Sequence, residues 1–441
     1  MKLKDELVKI CDEYPELKFD FRYRNWETDF LRFYQSQINY NISKTSISLA
    51  TTMYQGKKSY SFSLKDPTKE KLIEKIEEAK LIIAKLPEDP DFIDLEDDLT
   101  KSSEKEKSNN IEKVSLKKKI EILDKLAKAV KPYDFNIFGT FICNNKTLYI
   151  INSNGLNKRE INSPIYFELK AVSNTNEVTV LEAYGGENFR TFNLEQFTEN
   201  LVTKVKAATE KIVDVEPGEY EVILAPRCIG DYFLYLESSM TARSLDTKMS
   251  FFEDKLGKKV FPENITLTDN PQHPDLINFD YNSDGHIYKK NHLIDKGVFK
   301  NFMVDNYYGR KLKMKKNGAD GECLIMETGN KTKEELIGSI KKGLYISSLH
   351  YMNFINRKET SVTGLTRDGT FLIENGKITK VVNNLRFTEK ITDVVKGITE
   401  IENKSYTIPY SSNYGEFGIN SGKMPHVKVK GFKISSSTRT V

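Results

Sequence analysis

Three histidines, His273, His286 and His292, fall within 20 residues beside Asp269, Asp275 and Asp284. Imidazole and carboxylate are zinc ligands, but neither histidine pair has the i, i+4 spacing that sets two rings on one helical face. That spacing favours a polar surface loop over a metal site. In the same region Asp280, Asn282 and Asp284 alternate before Gly285, as a calcium loop begins. The twelfth position is Asn291, which cannot supply the bidentate carboxylate calcium needs, so DYNSDGHIY reads as a hairpin turn. The basic run Arg310 to Lys316 could meet phosphate or nucleic acid. Only Tyr307 and Tyr308 precede it and no aromatic interleaves it, which favours a solvated strand end or loop. The chain has no Walker loop, GxSxG elbow or HExxH.

The stretch EVILAPRCIGDYFLYLESSM at 221–240 is an apolar run closed by Pro226, followed by a helical rhythm. A strand handing over to a helix is a common seat for chemistry. Ile229, Phe233, Leu236 and Met240 form one apolar stripe of a helix expected at about 229–242. Tyr235, Glu237 and Ser239 remain for the rest of its surface. Glu237 has no histidine near it in sequence, so the residues alone describe a packed helix.

The elements that must position these groups divide the chain near residues 213–218, around Pro217-Gly218. In the first part, 1–214, helices are expected after Asp66-Pro67, Ser115 and Asn193. Their apolar faces are Leu72, Ile76, Ala79 and Ile83; then Leu116, Ile120, Leu123, Ala127 and Val130; then Phe197, Leu201, Val205, Ala208 and Ile212. Strand signals run from Ile38 to Leu64 with a turn at Gln55-Gly56, and 135–151 reads as a hairpin around Asn144-Asn145. Residues 87–114 (PEDPDF, then acidic and Lys/Ser/Asn-rich) are expected to be a mobile linker. From 215 to 441 strands dominate, with a second helix after Thr332, whose capping-box partner is Glu335, reaching a stop at Gly343. LIENGKI is a hairpin with its turn at Asn375-Gly376. The whole predicts an α+β protein: antiparallel sheet plus helices first, then a mainly antiparallel β domain with few helices.

Composition narrows the function classes. Lysine and arginine total 67 against 63 acidic residues, a formal charge of +4 interleaved along all 441 residues. That pattern speaks against a nucleic-acid binder, which concentrates basic residues on one face. The charged start MKLKDELVKICDEYPEL lacks a signal-peptide core, and no stretch approaches the roughly 18 apolar residues that span a bilayer. Four dispersed cysteines without a CxxC pair point to free thiols in a reducing cytoplasm.

An ordered set of segments in the second part resembles the TldD/PmbA family, also labelled modulators of DNA gyrase. They are GEYEVILAP (218–226), SFFEDKLGKKV (250–260), LIDKGVFKNFMVDNYYGRKL (293–312), METGNKTKEELIGSIKKGLYI (326–346), VTGLTRDGTFLIENGKI (362–378) and MPHVKVKGFKIS (424–435). The first part shares only the general layout. The resemblance implies a protease system of two paralogous subunits. The TldD type resembles a zinc metallopeptidase carrying HExxxH after an LSP-like strand end, with a later cysteine as a further ligand, whereas the TldE/PmbA type lacks that motif. Counted from Leu224-Ala225-Pro226, the two histidine positions fall at Leu234 and Ser239, the glutamate position at Tyr235, and the cysteine position near Ser411. The resemblance therefore implies a TldE/PmbA-like chain without catalytic residues or zinc of its own. It would pair with a zinc-bearing TldD-like subunit, or with a second copy of itself, and hold unfolded peptide. Tyr235, Glu237, Ser239, Tyr410 and Ser411 are its peptide-cleft candidates. Two alternatives stay open: a self-sufficient metallopeptidase using His273, His286 and His292, and an accessory factor acting on DNA gyrase.

Overall fold

The computed structural model describes residues 3–100, 114–187, 189, 192–412 and 418–437, with backbone only at 411, 412 and 418. A long antiparallel hairpin, Lys18–Tyr34 with Gln37–Gln55, founds the first sheet. Lys58–Lys65 extends it on one side; Phe135–Asn152, Ile165–Ser173 and Thr179–Gly186 extend it on the other, every pairing antiparallel. Residues 135–152 are one continuous strand, not a hairpin at Asn144-Asn145. Those asparagines pair straight through with Thr28 and Glu27. They mark the point where the strand's other neighbour changes: Ile165–Ser173 covers its first half, and Asn157–Asn162 its second. The polar pair signals a change of partner, and the turn lies at 163–164.

Helices Leu3–Glu13 and Lys69–Ile83 close a core on Phe19, Phe21, Leu49 and Met53. Helices Leu116–Val130 and Leu194–Ala208 close another on Leu31, Phe33, Phe141 and Phe167. Thr68, Ser115 and Asn193 cap three of these helices through their side chains. The helix after Ser115 buries Ile122, Leu123, Leu126 and Val130, whereas Leu116 and Ile120 are each 47% exposed. The expected stripe is rotated because the stem of Lys119 is buried, its ammonium 5.3 Å from the Phe141 ring centre.

The second sheet has twelve strands, and at its centre Gly218–Leu224 lies between Gly418–Ser437 and Lys342–Asn356. Antiparallel pairing predominates. The pairing of Gly218–Leu224 with Lys342–Asn356 is parallel, as is that of Ile212–Val213 with Lys377–Val382. The protein is α+β, with sheets outweighing helices. Asn375-Gly376 makes the two-residue turn expected, both at positive φ (50° and 75°), which suits a hairpin. Thr332 and Glu335 form a full capping box, but that helix ends at Gly338, before Gly343.

The helix after the central strand starts at Pro226 and runs to Glu237. Proline at the first turn loses no hydrogen bond, which explains a start earlier than apolar periodicity alone gives. Its stripe Ile229, Phe233, Leu236 and Met240 is fully buried, joined by Cys228 and Tyr232. Gly230 allows close approach: a Cβ there would lie 2.0 Å from Ile408 Cδ1 and 2.6 Å from the Tyr410 hydroxyl.

Within 87–114, residues 101–113 lie outside the described residues. The preceding part crosses both halves as a strap. Lys18 pairs with Asp94, Lys316 with the buried Glu96, Arg310 with Asp97, Lys311 with Asp91, and His286 with Asp98.

Candidate functional site

Where the two halves meet, a cleft of about 570 Å³ opens beside the start of the central helix. One wall is the strand Thr179–Gly186 with the helix Leu194–Ala208, and the other is the strand Ile398–Ser412. Among the described residues both strands pair with a sheet neighbour on one side only, although residues 401–403 also exchange three backbone hydrogen bonds with Gly329 and Lys331. The two strands pack together where Gly185 meets Pro409, and the cleft opens beside that contact along the free parts of two strand edges, the kind of edge an extended peptide can join.

Its floor is a buried polar relay. His426 Nδ1 lies 2.6 Å from Glu402 Oε2, and its Nε2 lies 3.1 Å from the Tyr345 hydroxyl. Tyr406 donates to Glu402 Oε1 at 2.9 Å, and the His426 amide donates to Oε2 at 3.2 Å. Burial opposes ionisation of Glu402, but the His426 ring and these donors hold its carboxyl below the ordinary range. Burial also pushes the His426 imidazole down. A neutral ring donating from Nδ1 to the carboxylate and accepting from Tyr345 satisfies every group in the chain. Beside it Lys204 pairs with Glu182 at 2.7 Å.

A second polar region follows the same helix. Arg227 pairs at 2.9 Å with Glu168, which also accepts from Tyr166 at 2.5 Å, tying the helix to the first sheet. Burial pushes Asp231 up to about 7 against the pull of Arg227. At the helix end burial, then Glu322, Asp269 and Asp320, push Glu237 up to about 8. Burial, Asp320 and Asp269 likewise raise Glu322 to about 7.

The sequence candidates are distributed over these regions. Tyr235 donates to the Met352 carbonyl and packs against Phe354, away from the cleft. Ser239 is buried and accepts from the Phe251 amide at 2.6 Å. Glu237 and Tyr410 lie toward the second region, where Asp231 and Glu237 act on the buried Tyr410 hydroxyl. The Ser411 side chain lies outside the described residues. The three histidines are held apart: His273 accepts from the Asp275 amide, His286 contacts Asp98, and His292 contacts Thr268. Arg310, Lys311 and Lys316 are engaged by the strap, which gives the basic run an intramolecular role. Glu402, His426 and Tyr345 escaped sequence reasoning. The one local signal was a histidine alternating with apolar residues in MPHVKV.

A zinc ion at the place the resemblance implies would need donors at Leu234 and Ser239. Leu234 has none and is 38% exposed, and the Ser239 hydroxyl is occupied by an amide. These residues do not fit the metal. Among the described residues, no group of three or more His, Cys, Asp or Glu side chains is placed to hold one.

The fold and this junction are those of the PmbA/TldD metallopeptidase family, to which the chain belongs. The model of the PmbA/TldA metallopeptidase C-terminal domain matches residues 217–436, and that of the central domain residues 109–214. The zinc metalloprotease TldD homolog of Saccharolobus solfataricus is 24% identical over 384 residues, covering 80% of this chain and 81% of that protein. The crystal structure of TldE from Thermococcus kodakarensis superposes with a TM-score of 0.86 at 20% identity, over 98% of this chain and 99% of that one. A Thermotoga maritima structure, solved under the name of a DNA gyrase modulator, gives 0.83 at 16% identity, over 98% and 99%.

Proposed function

We propose that this chain is the TldE/PmbA-like, non-catalytic member of a two-subunit zinc metalloprotease system. In this reading it pairs with a TldD-like subunit that carries the zinc, and it holds unfolded peptide as an added strand. The observation that carries the reading is the central helix. The strand-to-helix junction is kept, while Leu234 and the amide-bound Ser239 offer a metal nothing. The two strand edges facing the cleft support the peptide-holding role.

The test is co-expression with a TldD-like subunit from the same genome, followed by elemental analysis and a peptidase assay on each chain and on the mixture. Cleavage only in the mixture, with zinc only in the partner, is expected. One zinc per chain together with activity in this chain alone would refute the reading and turn attention to His273, His286 and His292. The gyrase reading has only a relative's name behind it.

A further inference from the structure

We propose that the cleft contains a carboxylate-recognition subsite built on Lys333 and Lys404, so that the chain prefers peptides presenting a free carboxylate. This rests on the peptide-holding reading above. Both lysines line the cleft, and each ammonium sits over a tyrosine ring of the buried relay. Lys333 Nζ is 5.4 Å from the Tyr345 ring centre, and Lys404 Nζ is 5.1 Å from that of Tyr406. Neither makes an ion pair among the described residues. Their counterparts in the cleft are all paired: Lys204 holds Glu182, and Arg227 holds Glu168.

The reason lies in the floor. Glu402 is the carboxylate closest in role to a counter-ion, but His426 and Tyr406 already occupy both its oxygens. Glu182 is held by Lys204; Glu199 and Glu334 line the cleft but are exposed to solvent, as Lys404 is, and neither pairs with the two lysines among the described residues. The ring faces orient the two ammonium groups by cation–π attraction without neutralising them. Lys333 is half-buried, and burial, then Lys204, pulls its pKa down. A partly desolvated ammonium without a counter-ion gains most from an incoming carboxylate. An extended peptide lying in the open part of the cleft would carry either its C-terminal carboxylate or an acidic side chain to this place.

The probe is an unstructured ten-residue peptide labelled with an uncharged BODIPY dye, in three forms: free acid without acidic side chains, C-terminal amide, and amide with one internal glutamate. Anisotropy is measured with the full chain and with its complex with a TldD-like subunit. A charge-assisted hydrogen bond predicts that at least one carboxylate-bearing form binds about ten-fold or more tighter than the plain amide. Which form gains tells the terminal carboxylate from the side chain. Lys333→Met with Lys404→Met should erase the difference while leaving amide binding unchanged. Lys333→Arg should retain it, which shows that charge and not folding is read. Equal affinity of all three forms in the wild type, or discrimination surviving the double substitution, would overturn the subsite and leave the peptide-holding reading standing. Failure of every form to bind would remove both.

Discussion

Glu237 gives the most quantitative test of the interior. Its carboxylate is pressed against Gly321, where an added Cβ would lie 2.0 Å from Oε2, and it has no hydrogen-bond partner among the described residues. Its neighbour Asp269 is differently treated: Tyr288 and the amides of Asp320, Gly321 and Cys323 all donate to it. Burial and the nearby acids therefore fall on Glu237, raising it from 4.5 to about 8. The folded-state pKa lies above the unfolded one, so the stability it contributes is complete at low pH and is lost as pH rises through about 8. At about 1.4 kcal/mol per pH unit, the ceiling on that loss is about 5 kcal/mol. Solvent reaching the half-buried side chain reduces it to about 2–3 kcal/mol. Glu237→Gln does not titrate. Relative to wild type it should be near neutral at pH 5 and more stable by that amount at pH 9. Urea denaturation followed by circular dichroism at pH 5, 7 and 9 measures this. A stability difference that is constant across the range would refute the buried-acid account.

Leu236 is fully buried in the largest core cluster, so Leu236→Ala should cost roughly 2–5 kcal/mol through lost burial and the cavity left behind. A lowered thermal midpoint checks it, whereas Tyr235→Ala should cost much less than Leu236→Ala. Lys316→Met leaves the buried Glu96 carboxylate with only the Asp97 and Asp98 amides as partners and should destabilise by about 1–3 kcal/mol. Faster proteolytic nicking within 87–100 is the readout, and Glu96→Gln added to it should recover part of the loss.

What the sequence disclosed was local. Thr68, Ser115, Asn193 and the Thr332–Glu335 box act within one turn of their helices, and the Asn375-Gly376 turn within two residues of its strands. The helix face after Ser115 depended on distant partners: Ile122, Leu123, Leu126 and Val130 pack in a core with Phe141 and Phe167, on strands later in the chain. Asn144-Asn145 looked like a turn because asparagine favours one, yet pairing with Thr28 and Glu27 on one side, and the Asn144 amide donating to the Pro164 carbonyl on the other, hold the backbone extended there. The cleft floor was out of reach for the same reason. Glu402 and His426 are 24 residues apart, and Tyr345 is 81 from His426. Glu402 and His426 meet across the pairing of Ile398–Ser412 with Gly418–Ser437, and Tyr345 joins them because Gly218–Leu224 lies between Gly418–Ser437 and Lys342–Asn356, an order that no local periodicity encodes.

The shape of the strand-to-helix junction does not depend on the side chains at 234 and 239. The junction is held from below by Val222 and Leu224, from one side by Ile408 and Tyr410 against Gly230, and from the first sheet by Arg227 on Glu168. None of these contacts uses the side chains at 234 or 239. A leucine at 234 costs the fold little because it faces solvent, and a serine at 239 finds an amide to accept from. The cleft floor is coupled differently. The relay Tyr345–His426–Glu402–Tyr406 links the strands Lys342–Asn356, Gly418–Ser437 and Ile398–Ser412 of the second sheet, and all its hydrogen bonds are internal. Lower pH would charge His426 only against burial, so ligands of the cleft meet a neutral imidazole beside an ionised Glu402 carboxylate, and the positive charge they encounter comes from the lysines above it.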